Sequence, residues 1–578
     1  MSQQIIKDHN LEALKVAAAW PGADRVTLVT LATVLAATGA DRDGWSYFGA
    51  LAASQPDQVL PLTLAGYFQV RADEDIPAGL AKLDDAASRD LGPAQYYRGL
   101  ALASLPAEAG HAEQAVADLE FVLAVRDQFP TNMIRAAYHG LAAAYAAMGK
   151  DDLAAKAAAN SGLSSAPAEA RLQFAGGWAN PADGYHFSSP QIAEAAPGVR
   201  VAQGYDLADF GLVSTGSGIV AIDAGTAERR VHTALAAAGG LRADDVSHVI
   251  LTHAHFDHAG GIGALTGPGT EVIAQAGFPS ELARQHANRV PFRYFTGSGA
   301  GFGSGDADAR PADITVDQLI TGETKLAIGG TDFVLYPTSG GETSDALMVY
   351  LPASGVLFTG DVMMPYLGAP FFAEGSPDGL LGTLALIAEI SPRKLIHGHT
   401  LLTEVFTVDA VPGLLAALTE LRDQSLAGIG CGQTLTGLLK AGVLPDVLRE
   451  HPAAVGPYLV IRDHFVQRLY HQHSGYWQPD GQGLEPIDAA GRAVALDLLA
   501  DGKPEQFASA AHALLAQGDP ALALEITSAG LARHPDAPEL AHLRQQALYR
   551  LMERHQLQDP FRFLIYAEMA SAEIGPAA

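Results

Sequence analysis

The sequence predicts an α/β layered domain in the middle of the chain, flanked by a helical region on each side. Alanine-rich helical segments fill residues 1–175, strand and helix signals alternate over about 180–425, and helices return over 426–578. At 578 residues the chain is too long for a single hydrophobic core, because one domain usually holds ~100–200 residues. We therefore expect three domains with boundaries near residues 180 and 425.

The N-terminal region, residues 1–175, consists of helical segments separated by short polar turns. Ala136–Tyr145, followed by Met148-Gly149-Lys150, is typical of a tetratricopeptide helix pair, and Tyr96–Ala101 is a looser copy. Gly99 and Gly140 do not have the ~34-residue spacing of a regular tetratricopeptide array. A tetratricopeptide-like domain and an irregular helical domain both remain open.

The central region begins after a linker rich in Pro, Gly and Ser, Gly176–Gly198. Short apolar runs bounded by turn residues predict strands there. The predicted strands are Phe210–Val213, Gly218–Asp223, Val246–Leu251, Thr331–Tyr336, Ala346–Leu351 and Gly355–Phe358, with a helix over Leu380–Glu389. In the C-terminal region, amphipathic helices are predicted near 505–516 and 519–533, with Gly518-Asp519-Pro520 as the stop and restart signal between them.

Composition excludes several classes of function. A formal net charge of −28 disfavours nucleic-acid binding, which needs clustered Lys and Arg. The sequence contains no run of about 18 uncharged apolar residues, so no membrane-spanning helix is predicted. The first residues lack a secretory signal pattern, which predicts a cytoplasmic protein, with an exported protein whose leader was removed as the alternative. The single cysteine, Cys431, excludes an internal disulfide framework and a thiolate-rich metal site.

The chemistry concentrates where the strand Val246–Leu251 ends. His253 and His255 are two residues apart, so an extended backbone points both imidazoles to the same side. Asp257 and His258 follow where the chain turns toward a helix, and Gly260-Gly261 permit close backbone approach. Imidazole and carboxylate ligands suit Zn²⁺, with Fe and Mn as other occupants. The sequence therefore predicts a metal site here.

Further ligands are expected at other strand ends of the same region, because one cluster cannot fill two coordination spheres. Asp361 follows Phe358-Thr359-Gly360, and Glu342 stands in Gly341-Glu342-Thr343 at the entry to the strand Ala346–Leu351. His397 and His399 both lie in the run Leu395-Ile396-His397-Gly398-His399, and either could be the last ligand.

These motifs resemble the ligand motifs of the metallo-β-lactamase superfamily: the His-x-His-x-Asp-His run, the Thr-Gly-Asp and the Gly-His. Most members have histidine in the third motif, and a glutamate such as Glu342 is a feature of the alkylsulfatase branch. The resemblance extends over roughly residues 195–570 through Gly204–Ala208, Thr321–Thr324, Leu444-Pro445, Val466–Tyr470, Gly475-Tyr476-Trp477 and Gly518-Asp519. It implies an αββα sandwich for the central domain and a helical dimerisation domain after it.

The resemblance also implies a ligand set for two Zn²⁺ ions per chain. His253, His255 and Glu342 would hold one metal, and Asp257, His258 and His399 the other, with Asp361 bridging both. His399 is preferred over His397 because it follows glycine, as in the superfamily motif. Asp257 and Asp361 are the expected catalytic carboxylates, and a homodimer through the C-terminal helices is the expected assembly.

The expected activity is hydrolysis of a small-molecule ester, most readily an alkyl sulfate. The nucleophile would be a hydroxide formed from a water molecule whose pKa two metals have lowered. Asp361 would orient that hydroxide. Two features depart from the alkylsulfatase branch: its members usually carry glutamate at the position of Asp361, and Val362–Gly368 lacks the polar residues of a sulfate pocket. A hydrolase of carboxylic, phosphoric or lactone esters is the alternative. Two further alternatives do not involve hydrolysis: an iron-containing oxidoreductase, and a scaffold with a vestigial metal site.

Candidate substrate contacts lie between the histidine cluster and Glu342. Arg284, Arg289 and Arg293, with Tyr294, are predicted to lie in a loop that faces the metals and binds the anionic group of the substrate. An ordinary solvated loop is the alternative.

Overall fold

The computed structural model describes residues 9–20, 23, 25–37, 40–126, 129, 131–160, 172–174, 177–180, 184–186, 190–287, 314–365, 375–441, 444–475, 484–555, 562, 565–566 and 569–570. The chain divides into two compact units. One unit is Leu14–Asn180, and the other is Pro181–Ala578 together with Met1–Ala13.

The N-terminal region is helical, as predicted, and from its second helix onward successive helices pack against each other. The helices are α1 (His9–Ala18), α2 (Arg25–Ala37), α3 (Asp41–Ser54), α4 (Val59–Arg71), α5 (Ile76–Arg89), α6 (Pro93–Ala103), α7 (Ala112–Ala124), α8 (Thr131–Ala147) and α9 (Asp151–Asn160). Two short strands, β1 (Leu172–Phe174) and β2 (Gly177–Asn180), pair antiparallel after them.

Gly99 and Gly140 have a packing role in this unit. A Cβ on Gly99 would lie 2.7 Å from Leu119 Cγ, and one on Gly140 would lie 2.8 Å from Leu119 Cδ1. Both glycines therefore let α6 and α8 approach the buried Leu119 of α7. The tetratricopeptide interpretation stays a prediction.

The described part of the second unit contains a seven-stranded and a five-stranded sheet. Its strands are β3 (Gly184–His186), β4 (Gln191–Ala196), β5 (Val199–Gln203), β6 (Phe210–Thr215), β7 (Gly218–Ile222), β8 (Val246–Ile250), β9 (Glu271–Gln275), β10 (Gln318–Ile320), β11 (Thr324–Ile328), β12 (Thr331–Thr338), β13 (Ala346–Leu351), β14 (Val356–Gly360) and β15 (Lys394–His397). One sheet has the order β10-β9-β8-β7-β6-β5-β4, the other has the order β11-β12-β13-β14-β15, and β3 belongs to neither of them. The pairs β7–β8, β8–β9, β9–β10 and β14–β15 are parallel.

The sheets face each other across a shared apolar core. Val220 and Ile250 of the first sheet pack with Phe333 and Val349 of the second. The approach is close at Gly211, where a Cβ would lie 2.6 Å from Phe358 Cε1. Side chains from both sheets interdigitate in this way in β-sandwiches.

Helices cover the outer faces of the sandwich. They are α10 (Glu228–Ala237), α11 (Phe256–Ala259), α12 (Phe278–Ala287) and α13 (Pro377–Ile390). Leu235 of α10 and Phe278 of α12 join the core on the outer side of the first sheet. Thr383 of α13 lies 2.7 Å, Oγ1 to Oγ1, from Thr338 at the end of β12 in the second sheet. The predicted αββα layering is confirmed.

One prediction about this unit was wrong. Gly176–Gly198 is not a simple linker, because Gln191–Ala196 forms the edge strand β4, paired antiparallel with β5. An edge strand has one neighbour and little burial, and no residue of β4 is fully buried. It therefore lacks the apolar pattern by which inner strands such as β7 and β8 were recognised.

The C-terminal part of this unit is helical. Its helices are α14 (Thr400–Val405), α15 (Val411–Gly430), α16 (Leu435–Lys440), α17 (Val455–Ser474), α18 (Ala489–Leu499), α19 (Pro504–Ala516), α20 (Pro520–Arg533) and α21 (Pro538–His555). The predicted break between α19 and α20 is confirmed: Gly518 has φ +80°, and the Asp519 carboxylate accepts a hydrogen bond from Leu522 N at 3.0 Å. None of the helices in the described part of the chain is both long and apolar enough to cross a membrane.

Candidate metal centre

The histidine cluster lies at the carboxyl end of β8. The strand ends at Ile250, and the chain continues to His255, whose φ of −63° and ψ of 147° are extended, before α11 begins. The rings of His253 and His255 face the same region, with centroids 4.6 Å apart. The two-residue spacing thus has the effect expected from the sequence, although the strand itself ends earlier.

Glu342 closes one group of ligand-type side chains. It lies in the turn between β12 and β13, and its two carboxylate oxygens face the two histidines. Oε2 is 3.3 Å from His253 Nε2, and Oε1 is 3.3 Å from His255 Nδ1. The three ligand atoms lie close enough together to hold one metal ion.

Asp257, His258 and His399 form a second group of the same kind. Asp257 Oδ2 is 3.7 Å from His258 Nε2 and 3.4 Å from His399 Nε2. Asp361, which directly follows β14, reaches the same atoms: its Oδ2 lies 3.4 Å from His258 Nε2 and 3.0 Å from His399 Nε2.

Asp361 also connects the two groups. Asp361, His253 and His258 form a third set of close ligand atoms. This set shares His253 with the first group and His258 with the second. The structure thereby brings together all seven residues predicted as ligands: His253, His255, Asp257, His258, Glu342, Asp361 and His399.

Four polar atoms of this site are buried without the hydrogen bonds that buried atoms normally make. His253 Nε2, His258 Nε2, Glu342 Oε2 and Asp361 Oδ1 have no hydrogen-bonding partner among the described residues. Leaving such atoms unsatisfied costs about 1–3 kcal/mol each, and more where the group is charged. Divalent cations would satisfy them all, and nitrogen and carboxylate donors suit zinc-type metals. The residues therefore fit a metal centre.

Asp223 fixes the orientation of two of the histidines. Its Oδ2 accepts from His258 Nδ1 at 2.9 Å and from Thr252 Oγ1 at 2.8 Å. Thr252 Oγ1, having donated its proton, accepts from His253 Nδ1 at 3.0 Å. Both rings thus donate a hydrogen bond through Nδ1 and direct Nε2 to the site, as outer carboxylates commonly arrange for metal-binding histidines.

His399 and His397 differ in the hydrogen bonds of their ring nitrogens. His399 Nδ1 donates to Leu207 O at 2.9 Å, which leaves Nε2 for the site. Both nitrogens of His397 are engaged elsewhere, Nδ1 with Thr359 Oγ1 at 2.6 Å and Nε2 with Phe406 O at 2.9 Å. His397 is a buried core residue outside the ligand groups.

The glycine between these histidines is required by the site. A Cβ on Gly398 would overlap both His258 Cε1 and Asp361 Oδ1. The backbone there is held by Asp209, whose N–H donates to Gly398 O at 2.7 Å and whose carboxylate accepts from Thr400 Oγ1 at 2.6 Å. Burial raises the pKa of Asp209 to about 6.

In the metal-free protein the charges of the site are shared between imidazoles and carboxylates. Burial would lower the pKa of His399, but Asp361 and Asp257 outweigh it and raise that pKa to about 9. The same balance, with Asp257 as the strongest carboxylate, raises the pKa of His258 well above its usual range. Burial and the neighbouring histidines hold the pKa of His253 well below its usual value. Burial raises the pKa of Glu342 to about 7. A cation entering this site must displace protons.

The predicted substrate contacts have mixed outcomes. Arg289, Arg293 and Tyr294 lie outside the described residues. Arg284 does not lie in a loop as predicted: it belongs to α12, where its Nε is 2.7 Å from Glu281 Oε2 one helical turn away. That pairing follows from the i,i+3 spacing, which places both side chains on one face of the helix.

Sequence reasoning missed the residues that orient the ligands. Asp223 directly follows β7, so its position at a strand end, the signal that identified Asp361, could have identified it as well. Its φ of +64° is uncommon outside glycine. Asp206 and Asp209 stand in the run Gly204–Ala208 and just beyond it, and nothing in the sequence showed what they bond.

The chain is similar to known proteins over the region that contains these residues. The sequence profile of the metallo-β-lactamase superfamily matches residues 206–399. The chain is 27% identical over 170 residues to a hydroxyacylglutathione hydrolase of Rhodobacter capsulatus, covering 29% of this chain and 54% of that protein. It is 21% identical over 373 residues to a linear primary-alkylsulfatase of Pseudomonas sp., covering 59% of this chain and 69% of that enzyme.

The fold of the chain is similar to that of a solved alkylsulfatase. The stereoselective inverting sec-alkylsulfatase Pisa1 from Pseudomonas sp. superimposes with a TM-score of 0.53 at 18% identity, covering 67% of this chain and 66% of that one. A double mutant of the same enzyme gives 0.54. The chain thus spans about half the length of the hydrolase that it matches and about two thirds of the alkylsulfatases. Its residues 206–399 match the metallo-β-lactamase superfamily, and the fold of the chain is similar to that of this sec-alkylsulfatase.

Proposed function

We propose that this chain is a binuclear metal-dependent hydrolase that cleaves alkyl sulfate esters. The observation that carries the proposal is the set of seven buried ligand residues, four of which have a polar atom without a hydrogen-bonding partner among the described residues. His253, His255 and Glu342 would hold one metal, Asp257, His258 and His399 the other, and Asp361 would contact both. Zinc is the proposed metal because imidazole and carboxylate ligands suit it.

The reaction would draw on both the metals and the protein. Two bound divalent cations would lower the pKa of a shared water and polarise the ester oxygens. Asp361 lies between the two groups and would orient the attacking water through its free Oδ1. Asp257 lies beside His399 at the edge of the second group and would complete its ligand set. Asp223, Thr252 and Leu207 hold the ligand rings in place, so little reorganisation is needed.

Alkyl sulfates are favoured by Glu342 together with the fold. A glutamate in the third ligand motif is the feature by which the sequence resembles the alkylsulfatase branch, and Glu342 lies 3.3 Å from both His253 and His255. The similarity in fold to a sec-alkylsulfatase extends beyond the superfamily domain, since it covers 67% of this chain.

Hydrolysis of a carboxylic ester or thioester is the second candidate. Two observations favour it: the similarity to a hydroxyacylglutathione hydrolase, and the apolar, buried stretch Val362-Met363-Met364 after Asp361. Such side chains offer no hydrogen bonds to a sulfate group.

A turnover panel on the zinc-loaded protein tests the proposal. Dodecyl sulfate, a secondary alkyl sulfate, an aryl phosphate, an acyl lactone and an acyl thioester would be compared at equal concentration, with His255→Ala as the inactive control. We expect the alkyl sulfates to be hydrolysed fastest. Turnover of the lactone or thioester without sulfate release would replace the first candidate with the second.

We also propose that the C-terminal helices form a homodimer. The supporting observation is an exposed apolar surface on and before α18, where Ile487, Val494, Leu498 and Leu499 are 62%, 44%, 79% and 85% exposed. Replacing Leu498 and Leu499 by Glu should convert the dimer to a monomer in light scattering. Leu153→Glu, at an exposed leucine of α9, is the matched control, and an unchanged dimer in the double variant would remove this interface.

A further inference from the structure

We propose that Arg468 of α17 is a positioning residue for Glu342, so that the C-terminal helical region takes part in building the metal centre. The inference rests on the metal centre of the proposed function, but it concerns a residue outside every predicted ligand motif. It begins from the turn that carries Glu342, which connects β12 to β13.

That turn is held on one side by the segment after β14. Gly341 N donates to Val362 O at 2.9 Å, and Gly340 N donates to Thr343 O at 3.0 Å within the turn. Val362 directly follows Asp361. The backbone of Glu342 is therefore linked to the segment that supplies the ligand shared by both groups.

The other side of the turn rests against the start of α13. A Cβ on Gly375 would overlap Gly341 O and would lie 2.7 Å from Glu342 N. Thr383 Oγ1 of α13 donates to Ser339 O at 3.3 Å. The peptide of Gly375 thus packs directly on the peptide between Gly341 and Glu342, and any movement of one displaces the other.

Arg468 holds that supporting peptide. Its Nη2 donates to Gly375 O at 2.9 Å, across 93 positions of sequence. A charged donor makes a stronger hydrogen bond than a neutral one, and the planar guanidinium fixes the direction of the carbonyl. The contact chain runs from Arg468 through Gly375 to the backbone of Glu342.

The expected consequence is selective. Loss of Arg468 should weaken the group of His253, His255 and Glu342 most, because Glu342 is the ligand that lies in the turn itself. Asp257, His258 and His399 lie on other segments and should keep their affinity. Outer partners of metal ligands typically contribute about 10–100-fold to metal affinity or activity.

The test compares full-length Arg468→Gln and Arg468→Lys with the wild type. Arg393→Gln is the matched control, because Arg393 also donates to a backbone carbonyl, Ala353 O at 2.8 Å, at the far end of β14 from Asp361. Zinc affinity is measured for each equivalent by competition with a chelator. Hydrogen exchange of the amides at 340–342 is measured on the metal-free proteins, which provides a readout independent of catalysis.

For Arg468→Gln we expect one of two zinc equivalents to bind about 10–100-fold more weakly, faster exchange at 340–342, and activity restored by excess zinc. Arg468→Lys keeps one charged donor and should show a smaller loss in the same equivalent. Wild-type affinity for both equivalents with unchanged exchange in Arg468→Gln would overturn the inference, as would equal weakening of both. If Arg468→Gln does not fold, the same criteria apply to Arg468→Lys. Failure of the wild type to hydrolyse alkyl sulfates would refute the proposed substrate while leaving these zinc measurements decisive.

Discussion

Two buried polar clusters lie side by side in the second unit, and they differ in how their atoms are satisfied. Asp206 Oδ1 accepts from Leu207 N at 2.8 Å and from Arg230 Nη1 at 3.2 Å, while Oδ2 accepts from Thr226 N at 2.8 Å and Ala227 N at 3.1 Å. In the metal centre, Asp361 Oδ1 and His258 Nε2 have no such partners among the described residues.

The difference separates a structural cluster from a site for a ligand. Around Asp206, a buried charge is fully compensated by protein groups, so folding alone satisfies it. Around Asp361, the protein gathers carboxylates and imidazoles, and four of their polar atoms have no hydrogen-bonding partner among the described residues. The first arrangement should affect stability when it is changed, and the second should affect metal binding and activity.

The largest expected effect follows from removing Asp361. Asp361→Ala deletes the carboxylate that contacts both groups, so hydrolysis should fall by ~10³-fold or more, equivalent to a loss of several kcal/mol of transition-state stabilisation. Metal content should fall below two equivalents. Full activity in Asp361→Ala would remove the site assignment.

The converse change acts on the satisfied cluster. Asp206→Ala leaves Arg230 buried without its carboxylate, so the free energy of unfolding should fall by about 3–5 kcal/mol. The fraction that stays folded should retain its metal. Denaturant unfolding checks the first statement and metal analysis of the folded fraction the second; a stable variant that has lost its metal would reverse the comparison.

The pH dependence of metal binding sharpens the contrast further. His399, with a pKa raised to about 9, must lose its proton before it can bind a metal. Apparent zinc affinity should therefore fall as the pH drops below about 9, roughly tenfold per unit for each proton displaced. Calorimetric titrations in buffers of different ionisation enthalpy would count these protons. Zinc binding without proton release at pH 7 would contradict the assigned protonation states.

The smallest expected effect is at His397. His397→Gln removes hydrogen bonds to Thr359 and Phe406 but no proposed ligand, so we expect about 1–3 kcal/mol of destabilisation and unchanged metal stoichiometry. His399→Gln is the matched variant and should lose metal. The reverse pattern would exchange the roles of the two histidines.

The sequence predicted the layered fold and the strand ends on which the ligands lie, because buried strands have apolar runs and ligand-type residues at their ends are visible as motifs. It did not predict the edge strand Gln191–Ala196, whose half-exposed residues carry no such run. Asp223 and Arg468 were missed for a different reason. Each acts through a contact with residues distant in sequence, which only the folded chain brings together.

His397 and His399 show what the hydrogen bonds of the structure add to a sequence motif. The sequence places both at the end of one strand, and a motif rule alone prefers the residue after glycine. The hydrogen bonds supply the physical reason, since His397 uses both ring nitrogens in the core and His399 uses one.

The central claim is that the open polar cluster holds two metal ions. Its most direct test is the metal content of the purified protein, measured by inductively coupled plasma mass spectrometry after loading with zinc and removal of unbound metal. The account predicts two equivalents of zinc per chain in the wild type. A wild-type protein that retains no metal, and whose activity chelators do not change, would contradict it.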